Sequence, residues 1–460
     1  MESKQQKGKM DMSSLKTVNK LQYQLPSNLN VVERRQNKVS FADQNTYSST
    51  SGNEVVIRLT ASTDYVYGKN SYLTFDILAA DVDVVGTLGF FKNTAMSLFS
   101  RVLLEDRSGA ELERNDKLNS YCAQVAPWHH PTGYKDTVCA MAGQFEGSTK
   151  LGDLTLGIPS VPAVFTKNGI VADYDAAASK LTVCIPMSMF LGTFNRETLI
   201  PSMLVSGALL RLQLETPAVA LESLGTVATG AVSYTITNPR VVMDSMALAP
   251  VVQKNLMEQS QASGGLDFTY ETVYYQSGNP GTSTNFNLQI NKAVSRCQRL
   301  YWSSHSQTTP SSSNIDSLGT TQANCHQLDY RLGDLYFPQR VISVTGAVSK
   351  TGAELYQNSL QSVGKMRTSS DPCSITKSEF LTSGVTLAAN SSNSGRCVHV
   401  QTFEQSSALE YSGLAINNSR TLEARISFGA AAIAEAQVID AWISYVKLAK
   451  CNQLRVILKE

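Results

Sequence analysis

The feature that most constrains this chain is an alternation of apolar and polar residues with a period of two, repeated from one end to the other. Leu73, Phe75 and Ile77 alternate with Thr74 and Asp76, Leu266, Phe268 and Tyr270 with Asp267 and Thr269, and Phe286, Leu288 and Ile290 with Asn287 and Gln289. Leu422, Ala424, Ile426 and Phe428 interleave with Glu423, Arg425 and Ser427, and Leu454, Val456 and Leu458 close the chain around Arg455 and Ile457. Successive side chains of a strand face opposite sides of its sheet, so each stretch reads as a half-buried strand. A turn at Arg107-Ser108-Gly109-Ala110, between VLLED and ELER, reads as a hairpin in which glycine supplies the awkward dihedral.

Helical signals are few. NDKLNSYCAQVA, capped by Asn115 or Asp116, puts Leu118, Tyr121, Cys122 and Val125 on one face of a short helix. Val251 to Gln261 follows Pro250 and stops before Gly264-Gly265, which brackets a second short helix. At 460 residues the chain exceeds one ordinary core, and the second helix divides it into halves of roughly 215 residues. Each half opens with alternating strands, carries long polar insertions and closes with two strongly apolar strands. The insertions, Gly143–Lys180, Gln307–Asn324 and Val363–Gly395, are rich in small polar residues and read as surface loops.

One stretch departs from the pattern. IPMSMFLGTFNRETLIPSMLVSGALLRLQLE, from Ile185 to Glu215, ends in a clear strand with Leu210, Leu212 and Leu214 on one side. Pro186 to Pro201 has neither period, and apolar irregular backbone needs a cover.

Charged residues make up only 17% of the chain and the net charge is +1. Depletion of charge marks the centres of protein interfaces, and so weak a net charge gives little repulsion between copies. Self-association is expected. Within the first forty residues, Lys4, Lys7, Lys9, Lys16, Lys20, Arg34, Arg35 and Lys38 stand against Glu2, Asp11 and Glu33, a net of +5. This basic arm could contact phosphate, with Lys4, Lys7, Lys9, Lys16 and Lys20 as candidate residues, although it lacks the interleaved aromatics of a single-strand binder. A solvated terminus is the simpler reading.

The inventory for chemistry is thin. The eight cysteines are scattered without a CxxC pair and read as reduced thiols, with neither metal nor disulfide role. Of five histidines, His129 and His130 are adjacent and His305, His326 and His399 isolated; no HxH, HExxH, GxSxG or P-loop pattern occurs. On VHVQTF, His399 reads as solvent-facing or interfacial, opposite Val398 and Val400. Glu111 with Glu113, and Glu423 near Arg425, read as polar faces of strands. No enzyme and no cofactor are expected. The N-terminus lacks a signal-peptide core and no run of about 18 apolar residues exists, so a reducing compartment is expected and the sequons at Asn390 and Asn417 are chance matches.

Taken in order, SLFSRVLLEDRSGAELERND, IPMSMFLGTFNRETLIPSMLVSGALLRLQLE, KNLMEQSQASGGLDFTYETVYYQ, INKAVSRCQRLYW and YRLGDLYFPQ resemble the major capsid proteins of polinton-like viruses and their virophage relatives. The match is strongest from Ser97 to Tyr336 and weaker in the C-terminal strands. The resemblance implies an all-β fold of two tandem eight-stranded antiparallel jelly-roll β-sandwiches, with a few short helices in the connections. It divides the chain into a basic arm (1–28), a first jelly roll (29–248), a connecting helix and linker (249–264) and a second jelly roll (265–460). It further implies a pseudo-hexameric homotrimer tiling an icosahedral shell around double-stranded DNA. Partners would be neighbouring trimers, penton and minor capsid proteins, and, for the arm, genomic DNA or an inner membrane. The location would be the virion capsid. In such a fold Pro186 to Pro201 would pack at the base or between neighbouring rolls, buried by assembly as well as by folding. The competing reading is a glycan-binding β-sandwich, an attachment or minor capsid protein, with Tyr274, Tyr275, Tyr301 and Trp302 as platforms. Their strand contexts favour core or interface roles instead.

Overall fold

The computed structural model describes residues 31–49, 54–60, 64–81, 90–91, 95–130, 174–175, 180–222, 232–306, 325–343, 352–364, 375–377, 380, 397–404, 412–417, 420–428, 436–451 and 456–459. Sixteen principal strands cover most of them. Eight belong to the first half: β1 (Val31–Phe41), β2 (Glu54–Arg58), β3 (Tyr65–Asp81), β4 (Phe99–Glu105), β5 (Glu111–Asn115), β6 (Lys180–Pro186), β7 (Leu209–Leu214) and β8 (Val232–Leu248). Eight follow in the second: β9 (Leu266–Gly281), β10 (Asn285–Ile290), β11 (Val294–Ser306), β12 (Cys325–Leu332), β13 (Leu335–Ser343), β14 (His399–Thr402), β15 (Leu422–Phe428) and β16 (Gln437–Cys451).

Their pairing decides the fold. In the first half one sheet runs β1-β8-β3-β6 and the other β2-β7-β4-β5; in the second the orders are β9-β16-β11-β14 and β10-β15-β12-β13. Adding eight to every strand of the first half reproduces the second. All these pairings are antiparallel. Two four-stranded sheets connected in this order form a jelly roll, so the chain holds two in tandem.

Alternation set the registers. β7 lies between β2 and β4, with Leu210 opposite Ile57 and Leu104, and Leu212 opposite Val55 and Val102. All six side chains are buried, and each contributes about 1.5–3 kcal/mol by leaving water. Across that core Phe75 of β3 meets Phe99 of β4 edge-on, ring centroids 5.7 Å apart. In the second roll Trp302 of β11 donates from Nε1 to the Tyr330 hydroxyl of β12 at 2.8 Å, which ties the two sheets together. The hairpin between β4 and β5 turns as expected: Gly109 has φ 84°, and the Asp106 carboxylate accepts from the Ser108 and Ala110 amides, each at 2.8 Å.

Helices fill the connections. α1 (Leu118–Gln124) and α2 (Ala126–His129) follow β5. Neither expected residue caps α1. Lys117 occupies the cap position without a side-chain bond, and the Asn115 side chain accepts from the Lys117 amide instead. α3 (Pro250–Ser263) joins the rolls, opened by Pro250 and ended by Gly264 in the left-handed conformation. α4 (Ala353–Val363) lies in the second roll, and no periodic signal marked it. Val363, expected to open a surface loop, ends this helix. Ile375 and Phe380, further along the same expected loop, are buried in the second core. The other two insertions and Leu454 lie largely outside the described residues.

Candidate interaction surfaces and the junction between the rolls

The two cores interlock. Phe268, Tyr270, Ala449 and Cys451 of the second roll complete the first core, while Val125, between α1 and α2, and Trp128 of α2 enter the second. Polar bonds line the same seam. The Tyr270 hydroxyl donates to the Leu112 carbonyl at 2.7 Å, the Lys447 ammonium to the Glu111 carbonyl at 3.2 Å and the Ser303 hydroxyl to the Gln124 side-chain oxygen at 2.5 Å. His129 and Tyr301 share a hydrogen bond of 2.8 Å.

The irregular run after β6 closes this seam. Met187, Met189, Phe190, Leu191 and Phe194 are buried within the single chain, on two 3₁₀ turns. Of the burial expected by assembly as well as by folding, the single chain supplies the part due to folding: these side chains lie in the first core, which Phe268 and Tyr270 of the second roll complete. At Gly192 the approach is so close that a Cβ would lie 1.6 Å from the Glu271 carbonyl oxygen. Only glycine fits there.

Glu113 holds the run in place and corrects an expectation. It does not face solvent with Glu111; it is buried and accepts from the Gly192 amide at 2.7 Å, the Thr193 amide at 3.1 Å and the Thr193 hydroxyl at 2.8 Å. Burial pushes its carboxyl above the usual range, against the opposing pull of these bonds and of Lys447. His399 corrects another. It is buried, stacked on Trp302 at 4.3 Å between centroids and edge-on to Phe380 at 5.6 Å. Burial lowers its pKa to about 3, so the ring is neutral.

A cavity of about 310 Å³ lies along the seam, lined by Glu113, Tyr121, His129, Arg196, Glu271 and Arg299 among others. Several of its titratable groups are committed to structural partners. Glu113 holds the run, His129 meets Tyr301, and Arg299 spans Glu404 and, at 3.8 Å, Glu271. Among the described residues no cluster of histidine, cysteine or carboxylate side chains is placed to hold a metal ion, and no helix is long and apolar enough to cross a membrane. Glu423 and Arg425 form a loose pair at 3.8 Å on the outer face of β15.

The candidate arm residues Lys4, Lys7, Lys9, Lys16 and Lys20 lie outside the described residues. The basic residues that follow are engaged on β1: Arg34 pairs bidentately with Asp244, and Arg35 with Glu33 and Asp64. Of the four aromatics considered as sugar platforms, Tyr301 and Trp302 are buried, and Tyr274 and Tyr275 are packed on the second core. The large apolar side chains left exposed fall elsewhere: Val32 and Phe41 on β1, Val251 and Met257 on α3, and Leu335, Tyr336 and Val341 on β13. β1 and β13 are edge strands, where exposed apolar side chains and open backbone groups invite pairing. Sequence reading did not single out the exposed residues of β1 and β13, because singly they look like any strand residue.

No family profile matches the sequence, and no curated protein matches it. Solved structures do. A chain in the cryo-EM structure of the Sputnik virophage superposes with a TM-score of 0.57 at 12% identity, covering 96% of this chain and 91% of that one. VP54 of PBCV-1, fitted into a cryo-EM reconstruction of Sputnik, gives 0.55 at 11% identity over 95% of this chain and 99% of its own. The mavirus major capsid protein gives 0.51 at 9% identity over 95% and 92%. The chain has the double jelly-roll fold of viral major capsid proteins. The coverage includes both jelly rolls and α3 between them, so the likeness is to the tandem arrangement and not to one sandwich.

Proposed function

We propose that this double jelly-roll chain is a major capsid protein. The observation that carries the reading is the end-to-end likeness to capsid proteins across both rolls at almost equal length. In this reading the basic arm (1–28), first roll (29–248), connecting helix (249–264) and second roll (265–460) form one building block. Three copies close around a threefold axis as a pseudo-hexameric homotrimer. Trimers tile an icosahedral shell around double-stranded DNA, with penton and minor capsid proteins as further partners, and the virion capsid as the location. Assembly takes place in the reducing interior of the infected cell, which agrees with buried free thiols at Cys122, Cys297, Cys325, Cys397 and Cys451. The protein acts by geometry and not by catalysis.

Low surface charge and the exposed apolar residues of β1 and β13 support association, since apolar area removed from water stabilises by about 25 cal/mol per Å². Native mass measurement of the purified full-length protein tests the trimer: three copies of 49.9 kDa give about 150 kDa with a hexagonal outline in negative stain. A monomer that binds sugars would instead favour the glycan-binding reading. The arm's contact with DNA has its own test. Trimming residues 1 to 25 should weaken the salt-dependent retention of nucleic acid by assembled shells, and unchanged retention refutes that contact.

A further inference from the structure

The two rolls repeat strand for strand, and the seam between them joins unlike edges. β5 is an edge strand of the first roll and β9 an edge strand of the second. They meet just past the β4–β5 turn, where the Glu111 and Leu112 carbonyls accept from Lys447 of β16 and Tyr270 of β9. Phe268 and Tyr270 are buried there in the first core.

Adding eight to β5 gives β13, and subtracting eight from β9 gives β1. These counterparts are also edge strands. Among the described residues seven large apolar side chains are exposed, and five of them stand on these two strands: Val32 and Phe41 on β1, and Leu335, Tyr336 and Val341 on β13. Within one chain both edges stay open, so the counterpart of the seam can form only with a second copy.

The correspondence extends to position. Leu335 and Tyr336 follow the turn that opens β13 as Glu111 and Leu112 follow the turn that opens β5. Val31 pairs with Leu248 at the start of β1 as Leu266 pairs with Cys451 at the start of β9, which puts Val32 in the part of its strand that β9 uses in the seam. Val32 is 66% exposed, Leu335 48% and Tyr336 46%. Arg35 stands four residues into β1, as Tyr270 does into β9, and half of its side chain is exposed. It brings N–H donors to the place of the Tyr270 hydroxyl.

We propose that β13 of one copy docks on β1 of the next, repeating between chains the contact that β5 and β9 make within one, with Leu335 and Tyr336 against Val32. The contact joins two different surfaces and is therefore heterologous, so that every copy offers one edge of each kind. Carried around the threefold axis of the proposed trimer it leaves neither edge open. The inference rests on the capsid reading and names the edges by which copies meet.

Thiol cross-linking of the full-length protein, with native mass measurement beside it, tests the contact. Chains that carry both Val32→Cys and Tyr336→Cys should be linked into species of two and three copies, at least about fivefold above either single variant, because docking holds the two thiols at high effective concentration. Co-expressed single variants should give linked pairs and nothing larger, since each chain then carries one added thiol. Links between two Val32→Cys chains, or between two Tyr336→Cys chains, mean that like edges meet and overturn the proposal. A native trimer whose two positions stay unlinked overturns the contact and leaves the trimer standing, whereas a chain that stays monomeric overturns both. Charge gives a second readout. Leu335→Asp with Tyr336→Asp changes only half-exposed side chains and should raise the concentration at which half the protein is assembled by at least about tenfold, because the carboxylates would be buried unpaired. An unchanged concentration overturns the contact as well.

Discussion

Glu113 is a carboxylate whose role its neighbours in sequence disguise. ELERN alternates in charge like the polar rim of a strand, yet Leu112 and Glu113 are both buried because β5 faces the second roll on its outer side. Nothing local in the sequence announces a second body there. Removing the side chain strands the Gly192 and Thr193 amides, so Glu113→Ala is expected to cost about 3 kcal/mol in denaturant unfolding; a loss under about 0.5 kcal/mol would place it on an ordinary surface. Gly192→Ala drives a methyl into the Glu271 carbonyl and is expected to give insoluble or strongly destabilised protein. His399 misled for the same reason, since period two puts it opposite two valines although both sides of that short strand are covered. Its folded-state pKa of about 3 lies below the unfolded value near 6.5. The unfolded chain therefore binds the proton first as pH falls. Stability is fully present above about pH 6.5 and is lost by on the order of 1.4 kcal/mol per unit below it, a slope that His399→Phe should flatten. An unchanged slope in that variant would contradict the burial.

Among elements, what was legible tracks how completely each stretch satisfies a local rule. β7, β15 and α3 were readable because their alternation, or their proline and glycine brackets, is unbroken. α4 was not. Its buried face is Leu355, Ser359, Ser362 and Val363, correctly spaced for a helix but half made of serine, so no apolar stripe appears. Ser359 is there for a bond, accepting from the Val400 amide at 3.2 Å. The sheets of the second roll are joined in a comparable way by Trp302 and Tyr330. Tyr330→Phe keeps the ring but strands the indole N–H, and is expected to cost about 1–3 kcal/mol. Thermal denaturation checks this, and a neutral result would mean that the indole finds another acceptor.

At the scale of the molecule, the sequence made a β-rich, two-part chain legible through recurring alternation and one central helix. It could not convey that the two rolls share their cores. That fact depends on Tyr270 meeting Leu112 and on Gly192 meeting Glu271, contacts between residues 158 and 79 positions apart. The apolar run after β6 was correctly marked as needing a cover, and it is covered within the chain by the first core, with the second roll closing over it at Gly192. A seam of this kind ties the two rolls together, as the proposed shell role would require. Direct imaging tests this most sharply: a cryo-EM reconstruction of the purified full-length protein in solution. Six β-sandwiches arranged as three rigid pairs about a threefold axis are the expected result. Particles that contain single copies, or pairs of rolls that vary in their relative orientation from particle to particle, would contradict it.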